Sequence, residues 1–516
     1  LFECIDSKGR EHEFLAKVIK NNAEINSKLF TPKSDIVGFD NIDELINKYN
    51  SHVYYKHTER YLKEFNGHIY MQGYVEDSAE IIKKLKELST SGIGGYTNSV
   101  ISWLQTTAHK IDSQEKIEAL KQMFGKSRVA LIYGSAGTGK STLIDHISNF
   151  FNNENKIYLA NTHPAVNNLR RKVTAANCEF NTIKKFLTKY NGHTECDLLI
   201  IDECSTVSNK DMRKVLEKAK FTLLVLVGDI FQIESILFGN WFSIARSFVP
   251  GKSVFELTKP YRSTNKELLS VWDRVRKLDD AILEPMVKNN YTVHLDDSIF
   301  DYSKDNEIIL CLNYDGLYGI NNINRFLQGN NKQNAVEWGI NIYKINDPIL
   351  FNESERFAPL IYNNMKGKII DIEKQDKIIR FDIELDIAIN ELQAKNYDFD
   401  LVGNSKNGNS IISFWVNKYK STDEDDDSLD TIVPFQISYA ISIHKAQGLE
   451  YNSVKIVITN EVEERITHNI FYTAITRAKE DLKIYWTPET EKKVLNSFEL
   501  KNITKDVALL KTMYSI

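Results

Sequence analysis

Short apolar runs alternate with amphipathic stretches along the middle of the chain. Between residues 101 and 263, five of these runs have the length and composition of strands, and helical stretches lie between them. Strands that alternate with helices are typical of a parallel sheet with crossover helices. This part of the chain is therefore predicted to be an α/β domain. Its predicted strands are Val129–Tyr133, Ile157–Ala160, Leu198–Ile201, Leu223–Val227 and Val254–Leu257.

A second α/β pattern begins with a predicted strand at Ile308–Leu312 and resumes from residue 435 to residue 486. The stretch between its two parts, residues 337–433, has several strand-like runs separated by turn residues, which predicts a small inserted β barrel. The helix after the first strand is expected to place five apolar residues on one face. These are Leu317, Ile320, Ile323, Phe326 and Leu327.

The two ends of the chain carry weaker patterns. The first region mixes helical pieces, such as Ser78–Ser89, with strand-like pieces, and a loop is predicted at Thr90–Ser99. An acidic run at Asp423–Asp427 is predicted to be a solvated loop. The predicted domains are an N-terminal α+β region (1–105), a first α/β lobe (106–263), a second lobe (264–336 and 434–490), its β insertion (337–433) and a helical tail (491–516).

Composition narrows the class of protein. With 516 residues the chain is too long for one core, and its 42% hydrophobic and 26% charged residues are those of a soluble globular protein. A net charge of −5 excludes a general nucleic-acid coat, so any nucleic acid must bind in a local groove. The longest apolar run is too short to span a membrane. Five cysteines without a CxxC pair argue against a zinc or iron–sulfur site and favour a reducing, cytoplasmic location.

The first predicted strand runs into the sequence GSAGTGKS, which fits the phosphate-binding pattern GxxxxGK[ST]. Glycines allow such a loop to wrap closely, so that backbone N–H groups and the start of the next helix point at phosphates. Lys140 is expected to reach the β- and γ-phosphates, and the hydroxyl of Ser141 is expected to bind Mg²⁺. The ligand predicted here is ATP with Mg²⁺.

Further polar residues follow the next strands. Asp202 and Glu203 come directly after the strand Leu198–Ile201, at the end where parallel sheets bind ligands. Asp202 is predicted to hold the Mg²⁺ shell and Glu203 to polarise the attacking water. Gln232, three residues after the Asp that ends the following strand, is a candidate sensor of the γ-phosphate.

Two arginines complete the predicted catalytic set. Arg262 follows the first α/β region and Arg477 lies in the second. A P-loop ATPase needs positive charge on the transferring phosphate, commonly from an arginine finger. We expect both arginines to come from a lobe other than the one that carries the P-loop, which would make closure of the lobes depend on ATP.

Taken in order, these motifs resemble those of superfamily 1 helicases, in the RecD/Dda-like branch. The similarity runs from about residue 112 to residue 486 and includes SQEKIEAL, GSAGTGKST, LLIIDECS, VGDIFQI, KPYRS, SIHKAQGLEYNSV and FYTAITRAK. The resemblance implies two RecA-like lobes and an SH3-like insertion in the second lobe. It also implies that Gln114 reads the adenine and that Gly448 and Glu450 close on the nucleotide. With the P-loop, the predicted nucleotide contacts are Gln114, Gly134, Ala136, Gly137, Thr138, Gly139, Lys140, Ser141, Thr142, Gly448 and Glu450.

The resemblance also implies a single-strand track of small polar side chains, which suits phosphate contacts that carry no sequence information. Trp241 and Phe242 are candidates for stacking on bases, although aromatic residues at such a position more often belong to the core. Three features depart from the family. Lys184 stands where members usually have His, GDIFQIES lacks the prolines that often follow its Gln, and the duplex-splitting hairpin region, residues 187–196, is very short. The implied strand contacts are Thr162, His163, Thr182, Ser442 and His444.

Three functions remain open at this point. The first is an ATP-driven helicase on single-stranded or tailed DNA, moving 5′ to 3′. The second is a translocase or nucleic-acid-stimulated ATPase without strand separation, acting through its N-terminal region or a protein partner. The third is a P-loop signalling ATPase without nucleic acid, which the motifs SIHKAQG and AITRAK disfavour. RNA stays open as the track, since contacts to phosphates do not read the 2′-hydroxyl. No membrane role is predicted.

Overall fold

The computed structural model describes residues 8–106, 111–189, 194–235, 237–301, 306–352, 355–418, 429–462 and 465–516. It divides into two compact units. The first unit runs to Arg262 and also takes in Glu499–Ile516, and the second unit is Ser263–Phe498. In the described part of the chain, no helix combines the length and the apolar composition needed to cross a membrane.

The N-terminal region of the first unit has a three-stranded antiparallel sheet in the order β1-β3-β2. Its last helix, α3, supplies Ile81 and Leu85 to an apolar cluster that also contains residues of the six-stranded sheet described next. Asp77 of the same helix pairs with Arg213 at 2.9 Å. The elements are α1 (Glu11–Glu24), β1 (Thr31–Pro32), α2 (Ile42–His52), β2 (Leu62–Phe65), β3 (His68–Met71) and α3 (Gln72–Leu88).

The rest of the first unit is a six-stranded parallel sheet with helices between its strands, in the order β6-β5-β7-β8-β4-β9. The five strands predicted here are confirmed. The strands are β4 (Val129–Gly134), β5 (Lys156–Ala160), β6 (Cys178–Thr182), β7 (Thr194–Ile201), β8 (Ala219–Gly228) and β9 (Val254–Leu257). The helices are α4 (Tyr96–Thr106), α5 (Gln114–Gln122), α6 (Lys140–Phe150), α7 (His163–Lys172), α8 (Ile183–Lys189), α9 (Asn209–Lys218) and α10 (Trp241–Ala245).

Two details of this region differ from the sequence prediction. The edge strand β6 was not predicted, because its sequence CEFNT lacks a continuous apolar run and the strand is only half-buried. The loop predicted at Thr90–Ser99 is wrong from Tyr96 onward, where α4 begins. Tyr96 is 3% exposed and its hydroxyl donates to the carbonyl of Leu120 at 2.6 Å, so packing draws this residue into a helix.

The second unit contains a five-stranded parallel sheet in the order β10-β22-β21-β11-β20. Its helices are α11 (Lys266–Lys277), α12 (Leu283–Lys288), α13 (Ile320–Asn330), α14 (Glu391–Ala394), α15 (His468–Ile475) and α16 (Pro488–Asn496). Its strands are β10 (Thr292–His294), β11 (Glu307–Cys311), β12 (Val336–Trp338), β13 (Asn341–Tyr343), β14 (Pro348–Phe351), β15 (Lys366–Lys374), β16 (Ile378–Leu385), β17 (Asp400–Asn404), β18 (Ser410–Asn417), β19 (Phe435–Ile437), β20 (Ala440–Ser442), β21 (Tyr451–Val457) and β22 (Ala478–Trp486).

The helix after β11 is confirmed, but its predicted apolar face is wrong in part. Leu317 precedes α13 and is 68% exposed, so it has no place on a helix face. Phe326 lies at the edge of the apolar stripe, where it is 51% exposed and contacts the ring of Phe300 with centroids 4.1 Å apart. The buried face consists of Ile320, Ile323 and Leu327.

The insertion is β-rich, as predicted, and forms a six-stranded antiparallel sheet in the order β17-β18-β16-β15-β14-β19. Its likeness to an SH3 domain stays a prediction. The acidic run Asp423–Asp427 lies outside the described residues. The last helix, α17 (Thr504–Tyr514), belongs to the first unit.

A buried carboxylate joins the insertion to α13. Asp347, which is 0% exposed, accepts hydrogen bonds from the side chains of Gln328 (2.6 Å), Asn331 (2.8 Å) and Tyr439 (2.9 Å) and from the backbone of Lys344 (2.9 Å). Each oxygen therefore accepts two bonds. The carboxylate replaces the water that these four donors would otherwise bind.

Asp347→Ala is expected to lower the free energy of unfolding of the second unit by about 3 kcal/mol, because four donors, two of them in fully buried hydrogen bonds, lose their acceptor. Urea titration followed by tryptophan fluorescence measures this. The control is Asp376→Ala, which removes an exposed carboxylate from the turn between β15 and β16. We expect the control to change the unfolding free energy by less than about 0.5 kcal/mol. Equal effects of the two variants would contradict the role of Asp347.

Candidate nucleotide and nucleic-acid site

The GSAGTGKS loop connects the end of β4 to the first residue of α6, Lys140. Gly137 and Gly139 have φ values of 76° and 80°, a region that favours glycine. A Cβ on Gly137 would lie 2.3 Å from the Cβ of Arg262, and one on Gly134 would lie 2.6 Å from the hydroxyl of Thr138. The glycines are thus required both by backbone conformation and by close packing.

The loop holds its lysine at the base of the predicted phosphate site. The amine of Lys140 donates to the carbonyls of Gly134 at 2.9 Å and Ser135 at 3.1 Å. Ala136 and Thr138 are buried, whereas Ser141 and Thr142 in the first turn of α6 are partly exposed. A helix start with a cation and partly exposed hydroxyls is a site for a phosphate anion.

Gly137→Ala is expected to weaken ATP binding by about tenfold or more, because a side chain at positive φ costs about 1–2 kcal/mol and Arg262 must also move. Titration with a fluorescent ATP analogue measures the affinity. The matched control is Gly408→Ala: Gly408 has a φ of 81°, and a Cβ there would meet no atom within 4 Å. A control variant that weakens binding as much as Gly137→Ala would rule out the packing argument.

Two adjacent carboxylates follow β7. Asp202 is 7% exposed, and its carboxylate accepts the backbone N–H of Glu203 at 2.9 Å. Burial, and then the charge of Glu203, raise the pKa of Asp202 to about 7. Glu203 has a φ of 52°, and its Oε2 is buried with no hydrogen-bond partner in the described part of the chain. A desolvated carboxylate beside an unsatisfied one fits a site for a cation and a water.

The segment after β8 lies against the segment after β7. Asp229 is 0% exposed, and its carboxylate accepts the N–H of Phe231 at 3.2 Å. Gln232 follows in a turn closed by its N–H to the carbonyl of Asp229 at 3.2 Å, and its side chain is 6% exposed. The N–H of Ser235 donates to the carbonyl of Ser205 at 3.1 Å, which ties this segment to the one that carries Glu203.

The two arginines lie in different units. Arg262 packs against the P-loop of its own unit, where the N–H of Tyr261 donates to the carbonyl of Gly137 at 2.6 Å. The expectation that both arginines come from a lobe other than that of the P-loop is therefore wrong for Arg262. The segment after β9 returns to the P-loop, and the sequence pattern contains no sign of this contact. Arg477 belongs to the second unit.

Arg477 is held among the second-unit residues predicted to contact nucleotide. It is 2% exposed and donates to the carbonyls of Thr473 at 3.0 Å and Leu449 at 3.2 Å. Leu449 lies between Gly448, with a φ of 76°, and Glu450, which pairs with Lys479 at 3.0 Å. The structure therefore brings Arg477, Gly448 and Glu450 together.

Gln114 is the first residue of α5 and is exposed. Its amide donates to the carboxylate of Glu118 one turn later at 2.9 Å. The hydroxyl of Ser113 caps the helix by accepting the N–H of Lys116. Gln114 thus has a defined place at a helix start, and its contact with adenine stays a prediction.

Three predicted strand contacts share one local arrangement. Thr162, Thr182 and Ser442 lie at the ends of parallel strands, and each hydroxyl accepts a backbone N–H three residues later, at 3.4, 3.2 and 3.2 Å. In these bonds the hydroxyl keeps its own hydrogen, so it can donate to a phosphate oxygen. Because β5 pairs with β6, Thr162 and Thr182 lie at the same edge of the sheet.

The two predicted histidine contacts differ in exposure. His163 begins α7 and is half-buried, and burial followed by the charges of Lys185 and Arg170 lowers its pKa. It is therefore expected to be neutral at pH 7 and to contact a strand by hydrogen bonding. His444 is exposed.

Comparison with known proteins shows similarity to helicases. The model of an AAA domain matches residues 112–295, and that of a UvrD-like helicase C-terminal domain matches residues 438–485. The RecD subunit of the RecBCD enzyme from Buchnera aphidicola subsp. Schizaphis graminum is 23% identical over 495 residues, covering 73% of this chain and 76% of its own length. The chain is therefore similar to RecD-like helicases of superfamily 1, in both its AAA-domain region and its UvrD-like C-terminal region.

Other similar proteins extend the comparison. An uncharacterized protein of Methanocaldococcus jannaschii is 26% identical over 475 residues, covering 75% of this chain, and the matched part spans 38% of that protein's length. Among solved structures, the Pif1 helicase from Bacteroides, in complex with ADP-AlF3 and ssDNA, is 17% identical with a TM-score of 0.47, covering 78% of this chain and 98% of that one. The Pif1 helicase from Candida albicans is 18% identical with a TM-score of 0.46, covering 78% and 100%.

Trp241 and Phe242 are buried in the core of the first unit and are not base-stacking residues. They are 0% and 1% exposed, Trp241 donates its indole N–H to the carbonyl of Val207 at 2.9 Å, and Phe242 stacks on Tyr133 with centroids 4.6 Å apart. The prediction for this pair is wrong because α10 turns both side chains into the core of the sheet.

Sequence reasoning missed Lys366, on strand β15 of the insertion. Its amine donates to the main-chain carbonyl of Glu450 at 2.8 Å and lies 3.6 Å from the ring centre of Tyr451. Burial lowers its pKa to about 8. The lysine attaches the insertion to the segment that carries Gly448 and Glu450. Since the contact joins positions 84 residues apart, no local pattern in the sequence could have indicated it.

Proposed function

We propose that the chain is an ATP-dependent DNA helicase or translocase that moves on single-stranded DNA in the 5′-to-3′ direction. One observation carries the proposal. The glycine-rich phosphate loop with its lysine follows β4, and two carboxylates follow β7 of the same sheet: the buried Asp202 and Glu203, which has an unsatisfied oxygen. Similarity to helicases supports nucleic acid as the partner.

Each residue of the site has a proposed role. Lys140 binds the β- and γ-phosphates, and Ser141 and Asp202 would hold Mg²⁺, which neutralises phosphate charge when bound. Glu203 orients the attacking water and accepts its proton. Gln232 senses the γ-phosphate, Gln114 reads the adenine, and Gly448 and Glu450 contact the nucleotide.

Two further sets complete the proposal. Arg262 and Arg477 supply positive charge to the transferring phosphate. The strand is held through its phosphates by Thr162, His163, Thr182, Ser442 and His444, which leaves the base sequence unread. A cytoplasmic location and a protein partner for the N-terminal region belong to the same proposal.

One feature favours a translocase without strand separation as the second candidate. In the resembled family a β-hairpin in this region splits the duplex, whereas the corresponding stretch of this sequence, residues 187–196, is very short. So short a stretch contains few residues with which to form a duplex-splitting hairpin. RNA remains the alternative track, and a signalling ATPase without nucleic acid is the third candidate.

The deciding experiment compares duplexes with a 5′ tail and with a 3′ tail, using the wild type and Lys140→Ala. We expect ATP-dependent unwinding of the 5′-tailed substrate only, and none by the variant. Hydrolysis stimulated by oligo-dT without unwinding would support the translocase. A preference for the 3′ tail would contradict the proposed direction, and stimulation by oligo-U alone would identify RNA as the track.

A further inference from the structure

Three distant parts of the chain meet at one carboxylate just after the proposed γ-phosphate sensor. The carboxylate of Glu234, two residues beyond Gln232, accepts the hydroxyl of Ser27 at 2.5 Å and pairs with the amine of Lys501 at 2.5 Å. The same amine donates to the Ser27 hydroxyl at 2.6 Å. We call these three residues, all of the first unit, the Glu234 junction.

Ser27 is rigidly held on the N-terminal side of this junction. It is 6% exposed and has a φ of 53°, and its carbonyl accepts the side-chain N–H of Asn240 at 3.4 Å. Asn240 is 1% exposed and immediately precedes α10. The turn that carries Ser27 therefore contacts the segment after Gln232 at two points, Glu234 and Asn240.

The C-terminal tail is held by a second buried carboxylate. Asp506, 4% exposed at the start of α17, accepts the backbone N–H groups of Leu29 at 3.0 Å and Phe30 at 3.2 Å. Leu510 packs in one apolar cluster with Leu29, Phe30, Phe238 and Ile244. The tail and the N-terminal turn thus pack against each other, and the exposed Lys501 lies beside the buried Ser27.

The segment at the centre of the junction is also connected to the carboxylates of the ATP site. Ser235, next to Glu234, donates its N–H to the carbonyl of Ser205, two residues after Glu203. A displacement of Gln232 on nucleotide binding would therefore also displace Glu234, since only one residue separates them. Packed cores transmit such displacements because they have little free volume.

We propose that Glu234 is a positioning residue that, through Ser27 and Lys501, couples the N-terminal region and the C-terminal tail to the segment carrying Gln232. This inference rests on the proposed function, in which Gln232 senses the γ-phosphate. The N-terminal region and the tail then set how strongly nucleic acid accelerates ATP hydrolysis. A protein bound to either part would change that acceleration without touching the nucleotide.

The test uses the full chain with Glu234→Gln, Lys501→Met and their double variant. The matched control is Lys492→Met, which removes an exposed lysine from α16. One readout is ATP hydrolysis with and without oligo-dT. The other is hydrogen–deuterium exchange of residues 25–31 and 501–510, with and without the non-hydrolysable analogue AMP-PNP.

We expect AMP-PNP to slow exchange of both peptides in the wild type and in the control. In the junction variants this difference should fall at least threefold, and stimulation by oligo-dT should fall about fivefold. Hydrolysis without DNA should stay within twofold of wild type. The double variant should resemble the single ones, because both changes break the same contact.

Two results would overturn the coupling: no nucleotide-dependent change of exchange in the wild type, or an unchanged response in the variants. An equal loss of ATP hydrolysis with and without DNA would show that the junction has a structural role only. If the wild type shows the exchange response but no stimulation by nucleic acid, the coupling stands and the proposed function fails.

Discussion

Glu203→Gln is expected to reduce ATP hydrolysis by about a thousandfold while leaving ATP affinity within about twofold of wild type. The amide keeps the size of the side chain but cannot accept the proton of the attacking water. The Oε2 of Glu203 is buried without a protein partner in the described residues, so a water is its natural neighbour. Steady-state phosphate release gives the rate, and titration with a fluorescent ATP analogue gives the affinity.

Two variants control for this result. Glu217→Gln changes an exposed glutamate on α9 and should leave hydrolysis unchanged. Lys140→Ala should instead weaken binding, since it removes the cation from the phosphate site. A Glu203→Gln enzyme that retains more than a tenth of wild-type activity would show that another group activates the water.

Arg477→Lys is expected to lower kcat about a thousandfold at saturating ATP and DNA, the range measured for catalytic arginines in this class of reaction. Lysine keeps the charge but lacks the planar fork of donors. The guanidinium donates to the carbonyls of Thr473 and Leu449, which orient it. A lysine amine cannot make both of these contacts in the same geometry and therefore also loses this orientation. Phosphate release measures kcat.

Because Arg477 is buried, a loss of folding must be separated from a loss of catalysis. Thermal unfolding of the variant should show a folded protein at the assay temperature, and its ATP affinity should stay close to that of wild type. Arg325→Lys, at an exposed position on α13, should change neither stability nor rate. A kcat for Arg477→Lys within threefold of wild type would remove this arginine from the catalytic set.

Most of the fold could be predicted because it depends on local patterns. A buried parallel strand is a continuous apolar run, so β4, β5, β7, β8, β9 and β11 were all identified. Strand β6 was missed because an edge strand with one half-buried face lacks that run. The apolar face of α13 was predicted too wide, because periodicity alone does not show where a helix begins.

The candidate site, like the fold, could be predicted from the sequence only in part. The P-loop and the pair Asp202–Glu203 could be located because they directly follow strands, and the ends of parallel strands converge at one edge of the sheet. The position of Arg262 beside Gly137 could not, since it depends on how the chain returns after β9. Trp241 and Phe242 were assigned to the wrong role because side-chain direction follows from packing.

The two α/β patterns, the inserted β region, the phosphate loop and the residues that follow each strand were all predictable from the chain alone. These features arise from hydrophobic period and turn chemistry within a few residues of each other. The contact of Lys366 with Glu450 and the meeting of Ser27, Glu234 and Lys501 became evident only in the folded protein. Such contacts join residues many positions apart, and they form only where packing of the whole unit brings those residues together.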